Sequence, residues 1–293
     1  MVKDCYWSKL LLFGEYSMIF DSNALVIPMK QFSARWERSS DESLRFSREE
    51  LQKYVRFLSE DPLLSEQLDT ASFANDIKEG WALASDIPIG YGLGSSGTVV
   101  AAVYDRYAQR AIEDLMELKR LFAKMEGYFH GSSSGIDPLQ CYLGKPFQIS
   151  SDGVVILPED FLNNNIRIGL LDTKTTSNTR PLVEGFRRQR EDPAFLRAFE
   201  ENYLPCVNQC MDTLMRGDSQ FFFDALKKLS HAQYHFLRNM IPDCVLPLFG
   251  KTSEFNFSIK ILGSGGGGYM LVFTDDVSRV NEELREFEIL WVQ

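Results

Sequence analysis

Histidine, long apolar runs and positive charge are scarce in this sequence, and each scarcity argues against one kind of site or partner. The chain has three histidines in 293 residues, and none lies beside Cys206 and Cys210, which argues against a zinc site there. No window approaches the roughly 18 consecutive apolar residues of a membrane span. The 41 acidic residues outnumber the 31 basic ones and give a formal net charge of −10, which argues against nucleic acid and anionic membranes as partners.

The N-terminus and the cysteines favour a reducing, intracellular environment. The apolar run of residues 10–13 is too short for a signal peptide and is flanked by the charged Lys9 and Glu15. The five cysteines are scattered and odd in number, which is typical of reduced thiols rather than a disulfide framework. A hydrophobic content of 44%, with 22 phenylalanines, is enough for a substantial core. We therefore expect a cytoplasmic, globular protein.

Glycine and serine are concentrated in Pro88-Ile-Gly-Tyr-Gly-Leu-Gly-Ser-Ser-Gly97, which precedes a helix-forming run over residues 98–111. Glycines let a backbone approach a phosphate closely, and Ser95 and Ser96 stand where a new helix presents unpaired N–H groups and the positive end of its dipole. The segment predicts an anion site for a phosphorylated ligand. The alternative is a glycine-rich turn with a serine cap.

Three known patterns compete for this segment. Gly92, Gly94 and Gly97 fit the dinucleotide fingerprint, but that motif follows the first strand of a βαβ unit, and here nearly ninety residues precede it. A P-loop requires a lysine after its last glycine, and Thr98 stands there instead. The segment resembles, at every fixed position, the Pro-x-x-x-Gly-Leu-Gly-Ser-Ser motif of the GHMP kinases, the superfamily of galactokinase, homoserine kinase, mevalonate kinase and phosphomevalonate kinase.

Two further segments resemble GHMP kinase motifs in the expected order. Lys9-Leu-Leu-Leu-Phe-Gly-Glu-Tyr16 is similar to the first motif, in which Gly-Glu-His follows lysine and apolar residues, with Tyr16 in place of the histidine. Lys260-Ile-Leu-Gly-Ser-Gly-Gly-Gly-Gly-Tyr269 is similar to the third, Lys-x-Thr-Gly-Ala-Gly-Gly-Gly-Gly. Together the three segments extend over most of the chain, and the chain is identified on them as a member of this superfamily.

A fourth segment narrows the resemblance to mevalonate kinases. Glu126-Gly-Tyr-Phe-His-Gly-Ser-Ser-Ser-Gly-Ile-Asp137 is similar to their Glu followed by His-Gly-x-Pro-Ser-Gly-x-Asp, with Ser133 in place of the proline. Asp172 to Val183 resembles their substrate-side stretch more weakly. Lys174 matches there, but Ser177 stands at the position of the arginine that the family uses near the substrate carboxylate.

The resemblance implies ATP and Mg²⁺ as cofactors and assigns the site residue by residue. Asp137 would accept or orient the proton of the attacking hydroxyl, Lys9 would lower the pKa of that hydroxyl, and Ser96 and Glu126 would hold Mg²⁺. The residues implied to bind ATP are Gly90, Gly92, Leu93, Gly94, Ser95, Ser96 and Gly97. The residues implied on the substrate side are Glu15, Tyr16, His130, Lys174, Gly265 and Gly266.

The element pattern is mixed and agrees with the fold that the resemblance implies, an α+β fold of two domains. Strands are predicted at 10–13, 31–36, 166–171, around 259 and at 269–274. Helices are predicted at 47–58, 114–129, within 180–240 and at 276–287. We expect an N-terminal ATP-binding domain of the ribosomal protein S5 domain 2-like type over 1–160 and a ferredoxin-like C-terminal domain over 161–293, with a boundary near 151–166.

These features predict an ATP- and Mg²⁺-dependent kinase for a small-molecule alcohol, with mevalonate, converted to 5-phosphomevalonate in isoprenoid precursor synthesis, as the first candidate. A sugar kinase, a sugar-phosphate kinase and phosphomevalonate kinase remain alternatives because of Tyr16 and Ser177. A non-catalytic nucleotide- or metabolite-binding protein on the same fold is a further alternative, and an NAD enzyme a third. The oligomeric state stays open between a single chain and a homodimer.

Overall fold

The computed structural model describes residues 2–20, 22–38, 46–162, 165–250 and 257–292. Within these ranges the elements are, in chain order, β1 (Tyr6–Phe13), β2 (Ala24–Arg38), α1 (Arg48–Glu60), α2 (Pro62–Gln67), α3 (Thr70–Lys78), β3 (Trp81–Ser85), α4 (Ser95–Tyr107), α5 (Leu115–His130), α6 (Ile136–Leu143), β4 (Phe147–Ser150), β5 (Gly153–Ile156), β6 (Arg167–Asp172), α7 (Thr179–Gln189), α8 (Pro193–Asn202), α9 (Leu204–Met215), α10 (Ser219–Phe236), α11 (Leu246–Gly250), β7 (Phe257–Ile261), β8 (Tyr269–Thr274), α12 (Val277–Glu283) and β9 (Ile289–Val292).

The chain forms two compact units that alternate along the sequence. The first unit comprises Met1–Leu10, Ile27–Pro88 and Leu93–Lys145, and the second comprises Leu11–Val26, Ile89–Gly92 and Pro146–Gln293. Strands β1 and β2 therefore each contribute residues to both units. The domain division between residues 160 and 161 stays a prediction, and residues 163 and 164 near it lie outside the described part of the chain.

In the first unit, local sequence signals mark the ends of helices α1 and α5, and helices α4, α5 and α6 lie around the glycine-rich segment. Ser47 and Glu50 form the predicted capping box at the start of α1. Asp114 caps α5, and the helix ends at Gly131 in the left-handed conformation. Of the predicted apolar stripe of α5, Leu118, Phe122 and Met125 are buried, whereas its two ends are half-buried. Helices α4, α5 and α6 pack on one another. This packing brings the first turn of α4, the last turns of α5 and the first turn of α6 into one region.

Strand pairing in the five-stranded sheet is antiparallel wherever its register is given. The order is β1-β2-β4-β5, with β3 also paired to β2. In the first unit, residues 34–38 of β2 pair with β3, and in the second, residues 24–26 of β2 pair with β4, which pairs with β5. A dinucleotide-binding βαβ unit would require parallel pairs. The described pairs therefore do not support the NAD alternative.

The second unit contains a four-stranded antiparallel sheet of order β7-β8-β6-β9. Its chain order, β6, helices, β7, β8, α12 and β9, is the ferredoxin-like arrangement that the sequence predicts, with β9 as a last strand that the sequence analysis did not predict. Helix α10 packs on α9 and on β7. Among the helices of the described residues, none is long and apolar enough to cross a membrane.

Candidate active site

The glycines at the start of α4 permit a close approach of two charged side chains. Gly94 caps the helix with a left-handed φ of 76°. A Cβ on Gly94 would lie 2.7 Å from Cγ of Lys9, and a Cβ on Gly97 would lie 2.9 Å from the carbonyl carbon of Asp137. The first backbone N–H groups of a helix have no acceptor within it and carry the positive end of its dipole. The predicted anion site thus has Lys9 and Asp137 directly beside it.

Lys9 and Asp137 form an ion pair in the first unit. Lys9 lies in β1, its backbone N–H donates to the carbonyl of Leu93 at 3.0 Å, and its Nζ is 3.0 Å from Oδ2 of Asp137. The lysine side chain is 3% exposed and the aspartate side chain 31% exposed. Asp137 belongs to the first turn of α6, which begins after Gly135. A carboxylate that reaches solvent next to a buried ammonium group can accept a proton from a bound hydroxyl.

Glu126 of α5 is a buried carboxylate held by two serine hydroxyls. Ser96 Oγ donates to Oε1 at 2.8 Å, and Ser133 Oγ donates to Oε2. His130 Nε2 lies 3.0 Å from Ser96 Oγ, so a ring protonated at Nε2 can donate to the hydroxyl that Glu126 accepts from. Glu126 is 4% exposed. The four side chains join the start of α4 to the end of α5 and to the loop that precedes α6.

Burial controls the protonation of Glu126. Desolvation, with a smaller contribution from the negative charge of Asp137, raises the pKa of Glu126 to about 7, against the lowering effect of the Ser133 and Ser96 hydrogen bonds and of Lys9. The same burial raises the pKa of the neighbouring Cys141 thiol. A cation bound at Glu126 would therefore compete with a proton near neutral pH.

The donor set around Ser96 and Glu126 fits magnesium. It offers one carboxylate and one hydroxyl, and Mg²⁺ prefers such hard oxygen ligands and keeps several waters or phosphate oxygens in its shell. Among the described residues, no group of three or more His, Cys, Asp or Glu side chains could hold a metal ion. A site with two protein ligands, completed by waters or phosphate oxygens, needs no such group.

The second glycine segment, residues 263–268, connects β7 to β8 in the second unit. All five of its glycines have positive φ, from 60° at Gly263 to 151° at Gly267. A Cβ on Gly268 would lie 2.5 Å from Cα of Tyr91, and one on Gly266 would lie 2.5 Å from a methyl carbon of Leu182. Side chains are therefore excluded at Gly266 and Gly268, and the turn packs against residues 90–92 through backbone contacts.

Glu15 and Tyr16 follow β1 in the second unit. Tyr16 has a left-handed φ of 61°, a strained conformation for a residue with a side chain, and its hydroxyl donates to the carbonyl of Ser264 at 2.8 Å. Burial raises the pKa of Tyr16. Glu15 pairs with Lys260. The structure thus connects the predicted substrate-side pair to the glycine turn of 263–268.

Lys174 and Ser177 lie in the segment between β6 and α7. Lys174 has a φ of 56°, and its ammonium group pairs with Glu288 and with Asp172, the latter at 3.1 Å. Those carboxylates raise its pKa. Ser177 Oγ donates to the carbonyl of Gly265, and its N–H donates to the carbonyl of Gly90 at 3.1 Å. Where the resemblance led us to expect an arginine, the chain has a hydroxyl bound to the glycine turn.

The structure brings the predicted residues together in two groups, one in each unit. In the first unit, Lys9, Ser96, Glu126, His130 and Asp137 lie together beside the helix start that contains the remaining residues Leu93, Gly94, Ser95 and Gly97. In the second unit, the predicted residues Glu15, Tyr16, Gly90, Gly92, Gly265 and Gly266 lie in the second glycine turn or beside it, whereas Lys174 directs its ammonium group to Glu288. Sequence reasoning did not assign roles to Ser133 and Lys260. The sequence signal that could have identified Lys260 is its position as a charged residue within the apolar run of β7.

Comparisons with known proteins agree with the resemblance. Residues 63–145 match the GHMP kinases N terminal domain. A mevalonate kinase of Thermococcus onnurineus is 25% identical over 302 aligned positions, which cover 90% of this chain and 86% of that protein.

Solved structures share the fold at low identity. L. major mevalonate kinase in complex with R-mevalonate superposes with a TM-score of 0.66 at 16% identity, covering 100% of this chain and 96% of that chain. Streptococcus pneumoniae phosphomevalonate kinase, in complex with phosphomevalonate and AMPPNP, gives a TM-score of 0.67 at 16% identity, covering 98% and 97%. The expected two-domain α+β fold is confirmed.

Proposed function

We propose that the chain is a GHMP kinase and that it transfers the γ-phosphoryl group of ATP to the hydroxyl of a small-molecule alcohol. The observation that carries this proposal is the Lys9–Asp137 ion pair beside the first turn of α4. Phosphoryl transfer requires positioning and charge stabilisation more than covalent chemistry by the protein. The first unit offers both.

The phosphates of ATP bind at the loop before α4 and at the first turn of that helix. Backbone N–H groups of Ser95, Ser96 and Gly97 supply donors, and the helix dipole and Lys9 supply positive charge within a protein whose net charge is −10. Ser96 and Glu126 hold Mg²⁺. When bound there, the ion neutralises phosphate charge. Ser133 and His130 keep the Glu126 carboxylate and the Ser96 hydroxyl aligned for that role.

Asp137 and Lys9 activate the acceptor. As the acceptor oxygen forms its bond to the γ-phosphorus, the bond from that phosphorus to the bridging oxygen of ADP breaks, and the hydroxyl proton passes to Asp137. Lys9 favours the developing negative charge on the acceptor oxygen and on the transferring group. Its N–H bond to Leu93 ties the strand that carries it to the nucleotide loop.

Mevalonate is the acceptor that we propose first. Two observations support mevalonate. The Glu126-to-Asp137 segment matches that of mevalonate kinases, and the chain is 25% identical to the mevalonate kinase of Thermococcus onnurineus. Ser177, at the position of the expected arginine, leaves the substrate carboxylate without that partner. A sugar or phosphomevalonate as acceptor is therefore the alternative within the same chemistry.

The test is ADP release by the purified protein with Mg²⁺ and ATP against mevalonate, phosphomevalonate, galactose, a heptose phosphate and homoserine. Turnover with mevalonate alone supports the full proposal. Turnover with another alcohol of this panel supports a kinase but replaces mevalonate as its substrate. ATP binding without ADP release for any alcohol would overturn the kinase proposal and favour a nucleotide-binding protein on this fold.

A further inference from the structure

A fully buried ion pair lies in the second unit at the base of the glycine turn of residues 263–268. Lys260 Nζ is 2.5 Å from Oε1 of Glu15, and the two side chains are 0% and 1% exposed. Neither side chain reaches a surface from which it could touch a substrate. Removing two charges from water costs several kcal/mol per ion, and well-packed apolar residues are often as stabilising in such a position. The pair therefore calls for an explanation other than stability.

Further hydrogen bonds close this pair into a ring. Lys260 Nζ also donates to the carbonyl of Ile261 at 2.7 Å, and the Ile261 N–H donates to Oε1 of Gln233 at 2.9 Å. Gln233 Nε2 in turn donates to the hydroxyl of Tyr203 at 3.4 Å, and that hydroxyl donates to the carbonyl of Glu15 at 3.2 Å. The ring fixes two backbone positions, Glu15 after β1 and Ile261 at the end of β7.

Both fixed positions lead directly into strained or glycine-only backbone. Tyr16 follows Glu15 with a φ of 61°, and its hydroxyl donates to the carbonyl of Ser264. Gly263 follows Ile261 by two residues and begins the turn with a φ of 60°. Such conformations persist only when the surroundings determine them. The ring and the Tyr16 bond together hold the entrance of the turn from both sides.

We propose that Glu15 and Lys260 are positioning residues, which set the conformation of the glycine turn 263–268 for substrate binding without touching substrate. This inference rests on the proposed function, because it is the kinase substrates that the turn would meet. It assigns Glu15 a role through Lys260 and Tyr16 in place of the direct substrate contact that its motif position suggests. The turn is the element whose geometry depends on the pair.

The experiment compares two variants of the pair by hydrogen exchange and kinetics. Lys260→Met removes the ammonium group that pairs with the buried Glu15 carboxylate, so both thermal stability and amide protection at residues 262–268 should fall. Glu15→Leu combined with Lys260→Met removes both charges, so the melting temperature should recover. Protection of the turn should not recover, because the Lys260 bond to the Ile261 carbonyl is still absent. In this double variant KM should rise by roughly tenfold while kcat stays within about threefold.

Arg106→Met is the matched control. Arg106 pairs with Asp76 in the first unit, with both side chains about one-fifth exposed, and its guanidinium lies over the rings of Trp36, Trp81 and Tyr107. It should lower the melting temperature without a change in KM or in protection of the turn. Recovery of stability, turn protection and KM together in the double variant would overturn the proposal, because the pair would then only fill space. Hydrogen exchange and melting temperature do not require turnover, so they test the pair even if ADP release fails for every alcohol.

Discussion

At the scale of single residues, Asp137 is the group whose loss should separate chemistry from binding. Asp137→Asn keeps the size of the side chain but removes the proton acceptor, so kcat should fall by at least about 100-fold while AMPPNP affinity stays nearly unchanged. The same change leaves the Lys9 ammonium group, 3% exposed, without its partner. Because Asp137 is 31% exposed, water can partly replace it, and we expect the loss of stability to be smaller than the ~3–5 kcal/mol of a fully buried broken pair.

Asp76→Asn is the control for that measurement. Asp76 also pairs with a basic side chain in the first unit, Arg106, at 2.7 Å. Its loss should cost stability and leave kcat unchanged. An Asp137→Asn protein that turns over within a few-fold of the parent, measured by ADP release at saturating substrates, would remove Asp137 from the catalytic role.

Glu126 gives the protein a pH dependence whose sign follows from burial. Its pKa in the folded protein is raised to about 7 from the ordinary value of 4.5, so between these values the folded state binds more protons than the unfolded state. Its contribution to the free energy of unfolding is therefore fully present below pH 4.5 and is lost as the pH rises to about 7. The size of the effect is on the order of 3 kcal/mol. Urea unfolding in EDTA at several pH values should show this fall, and Glu126→Gln should flatten it.

Magnesium should reverse that trend. If Glu126 is a magnesium ligand as proposed, its ionised form is the one that binds the cation. The stabilisation by Mg²⁺ should then grow, and the Mg²⁺ concentration required for half-maximal activity should drop, as the pH rises through about 7. Glu126→Gln should raise the Mg²⁺ requirement at every pH. A metal titration that is unchanged in this variant would contradict the assignment of Glu126 as a ligand.

At the scale of elements, the start of α4 should tolerate no side chain at Gly94. An alanine there would keep a φ of 76°, which costs about 1–2 kcal/mol for a residue with a Cβ, and its methyl group would meet Lys9 at 2.7 Å. We expect Gly94→Ala to lose activity through displacement of Lys9. Gly185→Ala is the matched control, because Gly185 lies in helix α7 with nothing within 4 Å of an added Cβ.

The control should be stabilised by about 0.5–1 kcal/mol, since alanine has the better helix propensity. Urea unfolding and ADP release on both variants separate the general effect of a methyl group from its effect at the site. Full activity of Gly94→Ala would show that the close approach of Lys9 to the helix start is not needed for function.

The helices that were predicted well from the sequence carry local signals, such as caps and apolar periodicity. The capping box at Ser47 and the apolar stripe of α5 each specify a helix within a few residues, and the motif spacing brought Glu126 and Asp137 into one region. Strand β9, residues Ile289–Val292, lacked any comparable signal, since four half-buried residues depend on pairing with β6. Local pattern determines an element only where its own residues supply caps and periodicity.

Contacts between distant residues were not predictable in this way. Lys260 and Glu15 are separated by 245 positions, and only the folded second unit brings them to 2.5 Å. The left-handed φ of Tyr16 likewise depends on the Ser264 carbonyl rather than on its neighbours in sequence. The alternation of the two units along the chain was not predictable either. The chain passes from one unit to the other within β1 and within β2, and no change of composition marks these points.

At the scale of the whole molecule, nucleotide binding should appear as an increase in stability. Comparison of that increase with turnover separates a kinase from a protein that only binds nucleotide. A ligand that binds only the folded state adds RT ln(1 + [L]/Kd), or about 2.7 kcal/mol at 100 times Kd. Mg²⁺ with AMPPNP should therefore raise the melting temperature of the parent and of Asp137→Asn equally. In the proposed mechanism, the Asp137 carboxylate of the Lys9–Asp137 pair takes part in proton transfer and not in nucleotide affinity. Equal shifts with unequal turnover would locate the chemistry at Asp137, whereas equal shifts with no turnover in either protein would leave a nucleotide-binding protein.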